Sequence, residues 1–209
     1  MLKKPWKLSL LSIVVFLFSC ATARVEVPVY EGVDVKDVLY AKNSISTIET
    51  TLSIIFERDD VEIRGEGLLS ISRSGDLSLR VYSLGFLALE LTSEKGITKS
   101  NPWLHVNKRK LLATGLRDCF FWWDIEDSEI DEIEDAYLLK NQSRMIWIDR
   151  KTILPIRQTI YCEDGVELNI FYERPERAGD VWYPSKIRIE IPKYSVTLKI
   201  KEILFNPTV

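Results

Sequence analysis

Histidine is almost missing from this chain of 209 residues: His105 is the single one. One imidazole excludes any two-histidine metal site and leaves a Ser-His-Asp triad dependent on a residue that follows Trp103 and Leu104. No nucleophile-elbow sequence accompanies it, so His105 reads as surface or helix-start material. A long apolar run is missing too. The stretch from Leu8 to Phe18 is shorter than the roughly 18 residues that a membrane-spanning helix needs. Phosphate loops are absent, because Gly65 and Gly67 lack the Lys-Ser/Thr ending and sit inside a strand pattern, where glycine allows close packing or a sharp bend. The run from Asp124 to Asp135 holds eight carboxylates in twelve positions, yet no glycine occupies the sixth position of a calcium loop. It reads as a solvated loop, with weak divalent-ion binding as the alternative. Internal repeats and low-complexity tracts are also lacking. No catalytic, metal or cofactor signature stands out, so the expectation is a protein that is not an enzyme and carries no cofactor.

What the chain does have begins at its N-terminus. Lys3, Lys4 and Lys7 precede the apolar stretch, and Leu17-Phe18-Ser19-Cys20 closes it in the sequence form of a bacterial lipoprotein processing site. On that reading residues 1–19 are a signal peptide and the Cys20 thiol carries a diacylglycerol, which makes the membrane a partner through the anchor. The competing cut lies near Ala21-Thr22-Ala23. Residues 20–33, with Pro28 and Gly32, suit a lipidated tether, and residues 34–209 suit one domain with a full core. Loss of the three leader lysines takes the formal charge from −3 to −6, which argues against nucleic acid as a partner. A hydrophobic content of 46% with 11% aromatics calls for a packed fold. In an oxidising periplasm Cys119 and Cys162 either pair or remain two buried thiols.

Periodicity then divides the domain. Val38, Ala41, Ile45 and Ile48 follow helical steps from Asp34, after which alternation predicts a strand from Ile48 to Arg58. A meander follows: Val61 to Ser72, Asp76 to Tyr82, then a strand past Ser83-Leu84-Gly85. Three-residue loops set Ile71 opposite Leu77, Leu69 opposite Leu79 and Gly67 opposite Val81. They also set Val81 opposite Leu87, Leu79 opposite Leu89 and Leu77 opposite Leu91, so the three strands share one apolar face. A helix between Trp103 and Trp123, broken near Gly115, separates this meander from a second with strands at Arg144–Asp149, Pro155–Cys162, Val166–Tyr172, Ser185–Ile191 and Tyr194–Phe205. The sum is a mainly β chain with helices (α+β): nine or ten antiparallel strands in a half-open barrel, helices over its concave side. Two apolar groups stand apart. Leu84 and Phe86 occupy a hairpin tip, where they either enter a membrane or a partner's cavity, or are covered by a neighbouring helix. Phe120-Phe121-Trp122-Trp123 is either core under the sheet or the wall of a lipid-lined pocket.

Several segments resemble the LolA/LolB-like outer-membrane lipoproteins: the site ending at Cys20, Ile63-Arg64-Gly65-Glu66-Gly67 leading into Leu77-Ser78-Leu79-Arg80-Val81, and Ser83-Leu84-Gly85-Phe86. Trp147-Ile148-Asp149, Leu154-Pro155-Ile156-Arg157 and Tyr183-Pro184-Ser185-Lys186-Ile187 read the same way. The resemblance implies an unclosed antiparallel β-barrel with a helical lid and a hydrophobic cavity for acyl chains. The apolar face of the first meander would line it through Leu69, Leu77, Leu79, Val81, Leu87, Leu89 and Leu91. It further implies LolB-like receipt of lipoproteins from a periplasmic LolA-like carrier and their insertion into the outer membrane, with Leu84 at the position of the inserting leucine. Ala21 stands where an aspartate would signal inner-membrane retention, so the resemblance implies sorting to the outer membrane, with the anchored domain facing the periplasm; the chain is expected to be a monomer. The alternative is a structural or assembly lipoprotein that uses the same fold to bind a protein partner.

Overall fold

Asp34 turns an extended tether into a helix. Its carboxylate accepts a hydrogen bond from the Lys36 amide at 2.8 Å and so satisfies one of the orphan donors of the first turn. In the computed structural model, which describes residues 26–30, 32–162 and 165–207, this opens α1 (Val35–Ala41) and a 3-10 turn (Lys42–Ser44). Val35, Leu39 and Ile45 are buried there. The expected signal peptide and the Cys20 anchor lie outside the described residues.

Twelve strands follow, in two meanders joined by a helix. The first contains β1 (Thr47–Arg58), β2 (Val61–Ser72), β3 (Leu77–Ser83), β4 (Phe86–Glu94) and β5 (Ile97–Asn101). After α2 (Val106–Phe120) come β6 (Glu129–Ile133), β7 (Ala136–Lys140), β8 (Arg144–Asp149), β9 (Pro155–Tyr161), β10 (Glu167–Ala178), β11 (Val181–Ile191) and β12 (Tyr194–Phe205). All form one antiparallel sheet in the order β5-β4-β3-β2-β1-β12-β11-β10-β9-β8-β7-β6. The last strand returns to the first, Ile48 facing Phe205 and Ile54 facing Leu198. β5 and β6 remain as the two edges, so the barrel is unclosed, and α2 runs in the chain between them. His105 starts α2, its Nδ1 accepting from the Asn107 amide at 3.4 Å. Gly115 does not break the helix; it is buried within it, and a Cβ there would lie 3.0 Å from Leu168 Cδ1.

Two expectations are corrected. The acidic run is not a solvated loop: β6 and the turn into β7 occupy most of it. Its carboxylates are balanced across strands, Lys140 lying 2.8 Å from Asp131 and Arg150 2.9 Å from Glu132. A charged strand at a sheet edge repels pairing with another chain. The second hairpin register also differs. Its loop has two residues, Leu84 and Gly85, with φ of 51° and 81°, the positive pair that a tight right-twisting hairpin requires. Ser83 faces Phe86, a bulge follows Val81, and the ladder continues with Val81 opposite Leu89, Leu79 opposite Leu91 and Leu77 opposite Ser93. The offset is two residues, one full pleat period, so Leu79, Val81, Leu89 and Leu91 keep their common face. Leu87 instead falls opposite Tyr82 beyond the bulge and is exposed.

Curvature depends on the two glycines of β2. A Cβ at Gly65 would lie 2.8 Å from the Tyr82 carbonyl oxygen, and one at Gly67 would lie 2.7 Å from Ile54 Cδ1. Without side chains there, β1, β2 and β3 close together over the concave face. That face receives Ile48, Leu52, Leu69, Ile71, Leu79 and Leu91 from the first meander and Ile146, Ile148, Ile170, Ile187 and Leu198 from the second.

Candidate functional site

The outer end of β3 and β4 presents the first candidate. Leu84 is 95% exposed and Phe86 78%, and no helix covers them. Val61 and Ile63, at the start of β2 and the same end of the sheet, are exposed as well. Ser83 Oγ donates to the Arg64 carbonyl at 3.0 Å and holds the tip against β2. The result is a hairpin end with large apolar side chains in solvent, pinned by one hydrogen bond to the backbone of Arg64. Leucine in a left-handed turn conformation carries a backbone cost of about 1 kcal/mol, so turn formation does not explain it. Among the described residues no helix is long and apolar enough to cross a membrane.

The second candidate is the concave interior. Phe120, Phe121, Trp122 and Trp123 lie at the end of α2 and just past it, all buried, with Trp122 and Trp123 in an edge contact at 5.6 Å between centroids. Around them Cys119, Ile187, Ile200, Ile203 and Phe205 enclose a void of about 20 Å³, room for a water and not for an acyl chain. The predicted cavity residues divide accordingly. Leu69, Leu77, Leu79 and Leu91 are buried core, Val81 and Leu89 pack against it partly buried, and Leu87 lies outside. The aromatic group is packed interior, one of its two expected readings. Cys119 is a buried thiol at the end of α2, and Cys162 lies half-buried just past β9. Burial pushes the Cys119 thiol far up, which makes it inert toward disulfide exchange.

A buried polar cluster that the sequence reading missed holds the aromatic segment in place. The last carbonyls of a helix lack intrahelical donors, and here Arg144 supplies one to the carbonyl of Asp118 and others to carbonyls just past the helix. Arg144 of β8 donates to the carbonyls of Asp124 at 2.8 Å, Asp118 at 3.2 Å and Trp122 at 3.3 Å, and its Nη1 lies 3.5 Å from the Asp118 carboxylate. Arg117 pairs with Asp118 at 2.8 Å and with Asp124. Arg73, from the β2–β3 turn, reaches Asp124 at 2.6 Å. Burial alone would raise the Asp124 carboxyl, but the hydrogen bond from Arg73 and the charges of Arg117, Arg73 and Arg144 outweigh it and hold it below the ordinary range. With its amide turned as its neighbours require, Gln158 accepts from Arg144 at 3.1 and 3.2 Å and donates to Tyr172 at 2.8 Å. Tyr172 donates in turn to the Cys119 carbonyl at 3.2 Å. The sequence did hold a signal for this cluster. Arg144 shares the inward phase of β8 with Ile146 and Ile148, so a charge stood where alternation demanded an apolar side chain.

Nothing in this cluster assembles a nucleophile, base and oxyanion donors, and among the described residues no three metal-ligating side chains converge. No protein-family model matches the sequence, and no curated protein sequence matches it. Solved structures do match in shape. A LolA superfamily protein from Nitrosomonas europaea superposes with a TM-score of 0.56 at 12% identity, over 85% of this chain and 96% of that one. A DUF1329 family protein from Desulfovibrio piger superposes with a TM-score of 0.57 at 12% identity, over 88% and 95%. The unclosed twelve-stranded sheet with helices in its concavity is the LolA/LolB-like fold, and that is the fold of this chain.

Proposed function

We propose that this chain is a lipid-anchored envelope protein that receives acyl chains of lipoproteins from a LolA-like periplasmic carrier and places them in the outer membrane, which it faces from the periplasmic side. The observation that carries the reading is the hairpin tip, where Leu84 and Phe86 stand in solvent on a turn that disfavours leucine. A side chain so placed, in a molecule anchored through Cys20, meets the bilayer surface. The physical task is transfer without covalent chemistry. Each acyl methylene exposed to water costs about 0.8 kcal/mol, so a lipid with several dozen of them needs an apolar enclosure along its route. Here the enclosure is occupied by Phe120 to Trp123, and these four side chains are the part that must yield to a chain. Replacing Leu84 with Glu is expected to leave folding intact and weaken insertion of client lipoproteins, read as their distribution between soluble and outer-membrane fractions. Unchanged distribution would refute the role of the tip.

The filled interior favours a second reading, a structural or assembly lipoprotein whose LolA-like fold binds a protein partner and carries no lipid. Native mass spectrometry of the full chain with Cys20→Ala separates the two. A retained or acquired acyl ligand supports transfer, and a persistently empty protein supports the partner-binding role.

A further inference from the structure

A second pocket, of about 160 Å³, opens between α1 and β11, lined among others by Tyr30, Lys42, Ile153, Asp180 and Trp182. Lys42 leaves the turn after α1 and points its ammonium inward. Nζ donates to the Trp182 carbonyl at 3.3 Å and lies over the rings of Trp122 and Trp123, 5.6 and 5.3 Å from their centroids. An ammonium has three donors, and this one has one oxygen acceptor and no carboxylate at ion-pair distance among the described residues. Burial draws its pKa down to about 8, so it stays mostly protonated at neutral pH. Asp180, the carboxylate lining the same pocket, is fully exposed and engaged by Arg177 at 2.7 Å. Behind Lys42, on the side of the apolar void and not of this pocket, Trp123 buries its indole Nε1–H with no hydrogen-bond acceptor among the described residues. The two indole faces answer part of the ammonium's charge; an anionic oxygen group in the pocket supplies the acceptor that its remaining donors lack.

We infer that this pocket is a binding site for an anionic head group, a carboxylate or phosphate, that docks on Lys42. The wall behind it indicates what the head group is attached to. Val181 and Trp182 line this pocket and also the apolar void around Trp122, Ile187 and Ile200. A polar, positive mouth therefore backs directly onto the apolar interior, the arrangement that accepts an acyl chain ending in an acidic group. The acyl part of this inference rests on the proposed lipid-handling function; the anion site rests on Lys42 and the pocket it lines.

The test titrates the full chain carrying Cys20→Ala with monomeric dodecanoate, with dodecanol, and with inorganic phosphate, following tryptophan fluorescence, and repeats each titration on Lys42→Met and Lys42→Arg. We expect dodecanoate to bind more tightly than dodecanol, Lys42→Met to weaken dodecanoate about tenfold or more without affecting dodecanol, and Lys42→Arg to keep the preference for the acid. Binding of phosphate alone, lost in Lys42→Met and with no gain from the tail, sustains the anion site and assigns it to a free anion while removing the acyl reading. Equal binding of dodecanoate and dodecanol in all three proteins overturns the anion site and leaves acyl binding intact. Failure of all three ligands overturns both.

Discussion

Two segments with large apolar side chains, Ser83-Leu84-Gly85-Phe86 and Phe120-Phe121-Trp122-Trp123, end in opposite environments. The first projects beyond the sheet and leaves Leu84 95% exposed; the second fills the concavity and leaves Phe121 at 0%. Side-chain type alone does not separate Phe86, 78% exposed, from Phe121. Position in the fold does: a two-residue hairpin loop lies at the outer end of its strands, whereas a helix joining the opposite edges of an open sheet ends within its hollow. Each group is held against its own tendency. The tip keeps a leucine in a left-handed turn conformation, and the interior group breaks from its helix in a buried place, where Arg144 supplies a donor for the Trp122 carbonyl and, with Arg117, for that of Asp124 just beyond.

This contrast can be broken from the interior first. Trp122→Ala is expected to cost about 3–5 kcal/mol in chemical denaturation; a loss below about 1 kcal/mol would mean that the aromatic group is a loose plug and not core. Arg144→Met removes the donor to three carbonyls and the farther of the two guanidinium partners of the Asp118 carboxylate, with an expected cost of about 3 kcal/mol. The same junction sets an acid limit. Asp124 has a depressed folded-state pKa, so its contribution is fully present above the unfolded value of about 3.9 and is lost as pH falls through the lower folded value. The near-ultraviolet circular dichroism of the buried tryptophans should therefore persist on acidification to about pH 4 and fade below it, and Asp124→Asn should reduce that acid sensitivity. At the tip the sign reverses. Leu84→Asn suits the turn better than leucine and is expected to stabilise the protein by about 0.5–1 kcal/mol while weakening membrane association, measured by vesicle co-sedimentation. A destabilised Leu84→Asn would show that the leucine packs against the protein after all.

Much of this arrangement was legible before folding is considered. Val61–Ser72, Arg144–Asp149 and Tyr194–Phe205 are strands at their predicted bounds: apolar and polar residues alternate from Tyr194 to Lys201 and, apart from Leu68, through Val61–Ser72, while Met145 to Ile148 is a short apolar run. Asp34 signalled its helix for the reason that it caps it. The acidic strand β6 was not legible: both its faces are largely solvent-exposed, so no burial pattern marks it, and its charges find partners on β7 and in the turn after β8. The register beyond Tyr82 was hidden by a bulge, which inserts a residue without leaving a trace in composition. The cluster around Arg144 was half visible, as a charge in an inward phase whose partners are distant in the chain.

By itself the sequence determined the alternation that makes strands, the turns between them, the processing pattern at Cys20 and the presence of two apolar groups needing explanation. Those are local properties, carried by side-chain size, polarity and φ preference over a few residues. Tertiary structure decided which apolar group is covered, which carboxylates are neutralised, and that Lys42 shares a pocket wall with Trp182, 140 positions away. Burial and charge pairing depend on what lies opposite in space, and in a sheet whose first strand pairs with its last that neighbour is set only when the chain has closed around its hollow.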